Sequence, residues 1–465
     1  MSGKKCSSVM RALLQKFVLA LALTATHFIS VTAALAQQIE VDGIDQEESK
    51  RLRNFAGLAT SGNVSLSAKK IRQLIRAAQD YSPAIRESNY NVAAAAQDVE
   101  AAKGARLPQV TLTGQSLYSD GDMNRASRAT GKPNVVLSAQ YALYDWGRIN
   151  ANVTGREQAR EAAYARQTLV DRQVAVDAVA TCLELSKQRA VLTANLEYLQ
   201  KLKSLQDMLA RIVAEDAGRS AELVQVRSRL LQGESQIELI RSRVRELGIR
   251  LERILGQSKT ELCADIGPSL MSRPTEDMIL RQIDGHPQIQ VLEAEYQQAL
   301  RAAEQITAAR KPQVALRAEH SPIAASVTND YQQVLTIAAT LPLYDGKSLQ
   351  SSERAALERA SAATERIETT RYQLSSDLRE RAKFAAANIR RAADFVDLLE
   401  INDRVRQDFF LQWATLGRRS LFELLAIEAE QLTLQSGYFT SLFDGMIGVA
   451  TVRGNIGQLV GNDDQ

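Results

Sequence analysis

Residues 81–115 read YSPAIRESNYNVAAAAQDVEAAKGARLPQVTLTGQ, and residues 285–319 read GHPQIQVLEAEYQQALRAAEQITAARKPQVALRAE. Both stretches have a proline at their third position. Both also contain the pattern Arg-x-Pro-Gln-Val-x-Leu, which begins at Arg106 in the first stretch and at Arg310 in the second. Because the matching residues keep their order and spacing, we interpret the stretches as copies of one unit, about 200 residues apart.

Two further matches follow downstream in the same order. The sequence Leu-Tyr-Asp occurs at 143–145 and again at 343–345. The sequence GRSAEL at 218–223 resembles GRRSLFEL at 417–424 once a gap is allowed. Ordered matches of this kind indicate that the chain is a duplicated module.

Each copy contains two runs of about ten residues in which apolar and polar side chains alternate. In the first copy we predict strands at about 108–118 and 134–144, and in the second copy at about 312–320 and 331–343. Polar, turn-forming residues separate the two runs of each copy. Each copy is therefore predicted to contain a β-hairpin with one apolar face.

Helical sequence surrounds the predicted hairpins. One helical segment precedes each hairpin, at about 67–105 and about 275–310, and ends at a proline. A longer pattern follows each hairpin, with Leu and Ala at steps of three and four that are typical of a coiled-coil seam; from 348 to 416 it contains neither Pro nor Gly. Gly218 and Gly417 interrupt the long patterns and are predicted tip turns. The predicted fold class is mostly α, and each copy comprises a helix, a β-hairpin, a long helix, a tip turn and a return helix.

Composition restricts the classes of function. The 465 residues include 57 Lys and Arg against 54 Asp and Glu, so no large nucleic-acid footprint is expected from a formal net charge of +3. Only three histidines occur, and neither His286 nor His320 has a companion at metal-ligand spacing. We therefore assign both a structural role and expect no metal site and no cofactor. The sequence has no Gly-x-x-x-x-Gly-Lys-Ser/Thr loop and no nucleophile–base motif, so we expect no enzymatic activity.

The N-terminus has the features of a secretory signal. Lys4, Lys5, Arg11 and Lys16 accompany a short apolar run, and Ala34-Leu35-Ala36 forms a cleavage motif. A transmembrane anchor fits less well, because polar residues interrupt the run before it reaches the length that crosses a bilayer. The predicted organisation is a signal peptide (1–36), a flexible N-terminal segment (37–66), a first repeat (67–265), a second repeat (266–457) and a C-terminal tail (458–465).

Three cysteines occur, and Cys6 is removed with the signal. Cys182 and Cys263 then remain in an oxidising compartment, where a disulfide can form. Two buried free thiols fit the sequence equally well, because spacing does not show whether the Cα atoms lie within bonding reach.

The lengths of the predicted strands indicate whether the sheet could lie in a membrane. Strands of about ten residues can cross a bilayer when they are tilted. Every backbone N–H and C=O must be paired in lipid, so a membrane sheet has to close on itself, and known closed barrels have about eight strands or more. Four strands cannot close alone, so several chains would have to share one barrel. The alternation also fits a soluble four-stranded sheet covered by helices.

Five short motifs together carry a family resemblance: LPQV at 107–110, KPQV at 311–314, LYDWG at 143–147, LYDG at 343–346 and GRRSLFELL at 417–425. With the duplication, they make the mature chain resemble the TolC-type outer-membrane efflux and secretion channels, the outer membrane factors. The resemblance implies a homotrimer in the outer membrane of a Gram-negative bacterium. It also implies a twelve-stranded β-barrel, to which three chains contribute, continuous with an α-helical barrel in the periplasm.

The function implied by the resemblance is that of a passive exit duct in a tripartite export system. Such a duct serves type I protein secretion or multidrug efflux. Its implied partners are a periplasmic adaptor (membrane fusion) protein and an inner-membrane ABC or proton-driven transporter, which supplies the energy. The competing hypothesis is a soluble periplasmic coiled-coil scaffold or adaptor protein.

The resemblance also implies a gate at the periplasmic helical tip. The family's tip motif places the linking arginine at Arg419, the first acidic constriction at Glu423 and a partner acid at Glu222. Its second acidic position falls on Ala426 and its linking tyrosine on Ala414, and these departures leave fewer contacts to hold the gate shut. The competing interpretation is ordinary solvated charge near helix ends.

Two further pairs near the strands have open interpretations. Tyr144 and Trp146, at the end of the second strand, fit an aromatic belt at the membrane interface and fit simple packing equally well. Arg317 and Glu319 are expected to face the barrel lumen if the alternation keeps its phase.

Overall fold

The computed structural model describes residues 64–116, 133–257, 260–263, 270, 274–321, 332–414 and 420–459. Several predictions concern residues outside these ranges: the signal peptide (1–36), the N-terminal segment up to residue 63, Gly417, Arg419 and the tail from residue 460.

The described elements follow the predicted order. They are α1 (Val64–Tyr81), α2 (Pro83–Gly104), β1 (Gln109–Ser116), β2 (Pro133–Tyr144), α3 (Arg148–Glu215), a 3-10 turn (Ala217–Arg219), α4 (Ser220–Leu255), a second 3-10 turn (Thr260–Cys263), α5 (Glu276–Ile283), α6 (Pro287–Ala309), β3 (Gln313–Ser321), β4 (Gln332–Thr340), α7 (Ser348–Ala414) and α8 (Leu421–Asn455). The predicted class, mostly helical with two strands in each copy, is confirmed.

The chain divides into two compact units. The main unit comprises Gly62–Ile389 and Phe439–Gln465. The hairpin unit comprises Arg390–Tyr438 together with Met1–Ser61, and its described part contains the end of α7 and the beginning of α8.

The single helical segment predicted before each β-hairpin is wrong, because each segment is two helices. In the first copy the break falls at Ser82, whose Oγ accepts a hydrogen bond from the backbone N–H of Ile85 at 3.4 Å. Pro83 and Pro287 are the first residues of α2 and α6. A proline at this position loses no helical hydrogen bond, but it disfavours helical geometry in the residue before it, so a new helix starts there.

The glutamine of the repeated Pro-Gln-Val motif joins each helix to its strand. Gln109 Nε2 donates to the backbone carbonyls of Gly104 and Leu107, at 2.8 and 3.0 Å. Gln313 Nε2 makes the same bonds to Ala308 and Lys311, at 2.9 and 3.1 Å. Each glutamine thus adds a hydrogen bond to a carbonyl of the last helical turn, that of Gly104 or Ala308, because the residue four positions later is a proline without an N–H.

The aspartate of the Leu-Tyr-Asp motif starts each long helix. Asp145 and Asp345 each accept, through Oδ2 and at 2.7 Å, the backbone N–H four residues later. The two residues after each aspartate, 146–147 and 346–347, have left-handed φ values of 58°, 81°, 67° and 68°. Both copies therefore turn from strand to long helix with the same backbone geometry.

The strand predicted to run to residue 343 ends earlier. β4 stops at Thr340, two residues before Pro342. Proline has no N–H to donate to a neighbouring strand, so the ladder of hydrogen bonds ends ahead of it.

Long helices pack closely within the main unit. With 68 residues, α3 has a length of about 100 Å. A Cβ placed on Gly445 or Gly448 of α8 would lie 2.6 Å from the Ile389 side chain or 2.7 Å from that of Ala385 on α7. These glycines therefore permit a close approach of α8 to α7.

A disulfide joins the middle of α3 to the second 3-10 turn. Cys182 is bonded to Cys263 in the structure, with their Cα atoms 5.2 Å apart. Both cysteines are almost completely buried, with 0% and 2% of their surface exposed.

His286 is a buried histidine at the start of α6. It is 2% exposed, and its Nδ1 accepts a hydrogen bond from the backbone N–H of Gln288 at 3.1 Å. Burial, together with the positive charge of Arg172, lowers the pKa of the imidazole to about 4. The neutral ring is thus the form that caps α6, which agrees with a structural role.

Acidification is expected to destabilise the protein through His286. The imidazole pKa is about 4 in the folded chain against an ordinary 6.5, so the unfolded chain takes up the proton first as the pH falls. The contribution of the neutral His286 imidazole to the free energy of unfolding is fully present above about pH 6.5. It is lost between about pH 6.5 and 4, and the loss is about 3 kcal/mol in all. Thermal unfolding followed by circular dichroism across this range measures the loss. His286→Asn keeps a capping acceptor but does not titrate, so its melting temperature should fall less steeply between about pH 6.5 and 4 than that of wild type. If both proteins show the same dependence of melting temperature on pH, His286 is not the cause of the destabilisation.

Candidate functional site

The strands form one antiparallel sheet in the order β1-β2-β3-β4. Among the described strands, β1 and β4 each have a single neighbour, so each leaves one edge of the sheet without a described partner. Residues directly opposite each other on neighbouring strands point to the same face, so the register assigns the paired side chains to faces up to an irregularity between Ala142 and Tyr144 on β2.

One face of the sheet is apolar. A row across all four strands joins Val110, Ala139, Ala318 and Leu335. The apolar face consists of Val110, Leu112, Val135, Leu137, Ala139, Tyr141, Val314, Leu316, Ala318, Leu335, Ile337 and Ala339, with His320 and Gln333 near one end. The side chains on its outer strands are exposed in the single chain, where Leu112 is 67% and Leu335 is 71% exposed, and those on its central strands are partly buried. An apolar surface of this size on a water-exposed sheet indicates a partner or a lipid environment.

The opposite face is mostly polar. A row joins Gln109, Gln140, Arg317 and Thr336. The polar face consists of Gln109, Thr111, Thr113, Val136, Ser138, Gln140, Ala142, Ala315, Arg317, Glu319, Val334, Thr336 and Ala338. Arg317 and Glu319 therefore share the face away from the apolar one.

Local hydrogen bonds close the first-copy tip turn. Asp216 Oδ1 accepts a hydrogen bond from the backbone N–H of Gly218 at 2.9 Å. The Arg219 guanidinium donates to both carboxylate oxygens of Glu222, from Nε at 3.3 Å and from Nη2 at 2.8 Å. Glu222 lies in the first turn of α4, where the helix dipole favours a negative charge. This acid is therefore held at the helix start by an arginine of its own turn.

In the second copy, Glu423 belongs to a capping box. Its backbone N–H donates to Ser420 Oγ at 3.3 Å, and its Oε2 accepts from the backbone N–H of Ser420 at 2.9 Å. This exchange fixes the start of α8. Gly417 and Arg419, the other predicted residues of this tip, lie outside the described residues.

Two polar bridges join α7 to α8 within the hairpin unit. Asn402 Nδ2 donates to Gln431 Oε1 at 2.6 Å, and both side chains are buried. Arg406 donates from Nη1 to Glu428 Oε1 at 3.1 Å and from Nη2 to Asp403 Oδ1 at 2.6 Å. Burial alone lowers the pKa of the Arg406 guanidinium, but the bonds to Asp403 and Glu428 and their charges raise it above its ordinary value.

The repeated motifs do not predict these bridges, because Arg406 and Glu428 lie outside them. The feature of the sequence that could have indicated the bridges is the spacing of the polar residues on each helix. Asn402 and Arg406 are four residues apart on α7, and Glu428 and Gln431 are three apart on α8, so each pair shares one helix face.

Two features were not found among the described residues. None of the described helices combines the length and apolar character needed to cross a membrane. No group of three or more His, Cys, Asp or Glu side chains in the described part of the chain is placed to hold a metal ion.

Comparison with known proteins shows what the sequence and the fold are similar to. Residues 74–257 match the family model described as outer membrane efflux protein. No curated protein sequence matches the chain. Among solved structures, VceC from Vibrio cholerae superposes with a TM-score of 0.71 at 17% identity, over 85% of this chain and 97% of that one. The chain has the fold of the TolC-type outer-membrane channels.

Two other structures support the TolC-type fold. CmeC from Campylobacter jejuni matches with a TM-score of 0.73 at 12% identity, over 85% of this chain and 87% of that one. MtrE from Neisseria gonorrhoeae, in its open state, matches with a TM-score of 0.65 at 14% identity, over 85% of this chain and 91% of that one. The resemblance inferred from the short sequence motifs is thus confirmed.

Proposed function

We propose that three copies of this chain form a twelve-stranded β-barrel in the outer membrane of a Gram-negative bacterium, continuous with a periplasmic α-helical barrel. The observation that carries this proposal is the sheet. Its apolar face is uncovered, and its described strands leave one edge of β1 and one edge of β4 without a partner. In lipid such edges must be paired. Pairing β4 of one copy with β1 of the next satisfies both edges and turns the apolar face toward lipid.

The barrel interior would then be lined by the polar face. That face carries Arg317 and Glu319, which suit a water-filled passage and not a lipid contact. The matched family and structures are outer-membrane channels and not enzymes, which supports a passive duct.

Purified protein tests the proposal directly. We expect a detergent-dependent, heat-modifiable trimer that produces discrete conductance steps in a planar bilayer. A water-soluble monomer that is recovered without detergent and is silent in bilayers would contradict the proposal, and would favour the soluble scaffold hypothesis.

We also propose that the duct is the exit of a tripartite export system. The sequence has no phosphate-binding loop, so the energy for export would come from an inner-membrane ABC or proton-driven transporter, coupled through a periplasmic adaptor. A deletion strain tested for compound sensitivity and for loss of a secreted protein distinguishes multidrug efflux from type I secretion. Copurification with the tagged channel identifies the transporter.

The gate is proposed to involve Glu222, Arg419 and Glu423 at the periplasmic tip. Acidic side chains in the first turns of α4 and α8 support this, because both helices follow the predicted tip turns. Glu222 and Glu423 also serve local structure, through the Arg219 ion pair and the capping box. A test must therefore separate the charge of each acid from its role in the turn.

Glu423→Gln separates the two roles. Glutamine keeps the capping box, so α8 should still begin at the same residue, but the charge is lost. We expect lower cation selectivity and a rise in the open-to-closed ratio of up to about fivefold for each of the three copies, because an exposed charge pair contributes about 0–1 kcal/mol. Single-channel recording measures both quantities.

Two further variants complete this test. Arg419→Ala should shift the open-to-closed ratio in the same direction. Glu430→Gln, an exposed position further along α8, is the control and should leave both quantities unchanged. If Glu423→Gln and Arg419→Ala both behave as wild type, the gate assignment fails.

A further inference from the structure

Trp146 holds an unfavourable backbone conformation. Its φ is 58°, in the left-handed region, which costs a bulky residue about 1–2 kcal/mol. The second copy has Gly346 at the equivalent position, with a φ of 67°. The turn can thus be formed with glycine at this position. The backbone of the turn therefore does not explain why the first copy has a tryptophan there.

Three contacts hold the indole in place. Its Nε1 donates to the backbone carbonyl of Pro312 at 2.8 Å. The Tyr144 ring lies edge-on, with ring centroids 4.9 Å apart. Lys311 Nζ lies 5.0 Å from the centroid of the indole, at a distance typical of a cation–π contact. The tryptophan still remains 44% exposed, so it is fixed and accessible at once.

The indole borders a cavity of about 640 Å³. Its polar lining comes from Asn150, Thr154, Arg301, Glu304, Thr307 and Lys311. The volume lies within the range of small-molecule sites, about 300–1,000 Å³.

The charges of the cavity lining are unbalanced. Arg301 and Glu304 neutralise each other through an ion pair at 2.7 Å. Lys311 has no carboxylate partner in the part of the chain that the structure describes, so its charge remains available to a ligand. The cavity therefore carries one uncompensated positive charge beside an aromatic ring.

The location of the cavity limits its ligand. Trp146 follows β2, and Lys311 precedes β3, so the cavity lies where these strands meet their helices. In the proposed barrel, this is the rim of the apolar face on the periplasmic side. Lipid headgroups lie at that level, and tryptophan is enriched there.

We propose that the Trp146–Lys311 cavity binds the phosphodiester headgroup of a glycerophospholipid in the periplasmic leaflet. Lys311 pairs with the phosphate, Asn150 and Thr154 offer hydrogen bonds, and the indole contacts the glycerol backbone. The site rests on the proposed membrane placement and deepens it, because a bound headgroup fixes the depth of the barrel. Inorganic phosphate carries the same anionic chemistry, so the test must separate the two.

The two tryptophans of the sequence make the site directly observable. Trp146 and Trp413 are the only ones, so Trp413→Phe leaves the fluorescence of Trp146 alone. The full-length Trp413→Phe trimer is held in maltoside micelles, which contain no phosphate. Phosphatidylglycerol with bromine near the headgroup end of its acyl chains is then added, and in parallel a brominated diglycosyl diacylglycerol, which lacks phosphate. We expect saturable quenching by the brominated phosphatidylglycerol at several-fold lower concentration than by the glycolipid.

Lysine variants test the charge. Lys311→Gln should weaken the apparent affinity for brominated phosphatidylglycerol by roughly threefold to tenfold, as expected for loss of a charge-assisted hydrogen bond. Lys311→Arg should restore it. Lys347→Gln removes a lysine from the strand-to-helix turn of the second copy that does not line the cavity, so it is the control and should change nothing.

Three results would overturn the proposal. Equal quenching by both lipids, or no effect of Lys311→Gln, would show only unspecific contact of the indole with lipid. Displacement of the brominated lipid by inorganic phosphate alone would assign the cavity to a free anion. Conductance measured on the same preparation separates this inference from the proposed channel. A conducting trimer without headgroup preference rejects only the site, whereas a silent protein that no brominated lipid quenches rejects both.

Discussion

Leu335→Arg is expected to prevent assembly in the outer membrane, whereas Thr336→Arg, one residue later on β4, should leave assembly intact. Leu335 lies on the apolar face opposite Ala318, and Thr336 lies on the polar face opposite Arg317. A lipid-facing arginine near the bilayer centre costs about 2–4 kcal/mol. Three copies would therefore cost about 6–12 kcal/mol, which is comparable to the whole stability of a folded protein.

The pair of variants separates a membrane sheet from a soluble one. Leu335 is 71% exposed in the single chain. If the sheet lay in water, arginine at so exposed a position would change the stability by no more than about 0.5 kcal/mol. The two positions are adjacent on one strand, so any effect on the edge of the sheet is common to both.

Membrane fractionation and the yield of heat-modifiable trimer measure the outcome. Wild type and Thr336→Arg should be found in the outer membrane at similar levels, and Leu335→Arg should be lost or degraded. Equal levels of the two variants in the outer membrane would contradict the assignment of the faces. Leu112→Arg against Thr111→Arg repeats the comparison on β1.

The two faces of the sheet could be predicted because strand alternation is a local property. Each strand turns successive side chains to opposite sides, so the apolar runs around Val110 and Leu335 already indicate one buried or lipid-facing side. The register that joins those runs into rows was beyond prediction, since it depends on pairing between residues far apart in the chain.

The repeated motifs indicate a duplication, but their sequence does not show which hydrogen bonds their side chains make. The matches at Gln109 and Gln313, and at Asp145 and Asp345, indicated a duplication. Their side chains prove to satisfy backbone groups at helix ends, which needs the three-dimensional path of the turn. The helix break at Ser82 was available from Pro83, but the periodic apolar pattern continues across it and hides the change of direction.

Contacts between distant segments were not predictable. The Arg406–Glu428 bridge depends on which faces of α7 and α8 meet, and the left-handed Trp146 depends on support from Pro312 and Lys311. The spacing of Arg406 and of Glu428 places each on one helix face with a second polar residue, but spacing does not specify which faces of two helices meet. The candidate gate was recovered only through family resemblance, and its residues have local bonding that the resemblance did not reveal.

Loss of the disulfide is the second large effect expected. Replacing Cys182 and Cys263 by alanine frees a loop whose ends are separated by 81 residues in sequence. In the chain-entropy description, opening a loop of this length lowers the free energy of unfolding by about 4–5 kcal/mol. Thermal and denaturant unfolding of the double variant, compared with wild type, measure the loss.

A cycle of single variants tests whether the bond is the cause. Cys182→Ala and Cys263→Ala should each cost nearly as much as the double variant, because either change removes the same bond. A reducing agent should destabilise wild type and leave all three variants unaffected. Additive losses from the single variants would show instead that each side chain acts through its own packing.

The position of the disulfide leads to a further expectation for the same variants. The bond closes the base of the first-copy hairpin, which runs from the middle of α3 through α4. The second-copy part of the hairpin unit, Arg390–Tyr438, contains no cysteine; the Asn402–Gln431 and Arg406–Glu428 bridges join its two helices instead. If gating uses the hairpin unit, the cysteine variants should unfold at lower temperature while the surviving trimers keep the wild-type open-to-closed ratio.

Arg406→Ala, which leaves Glu428 without that partner, should change the open-to-closed ratio and leave the disulfide intact, because the two hairpins are stabilised by different chemistry.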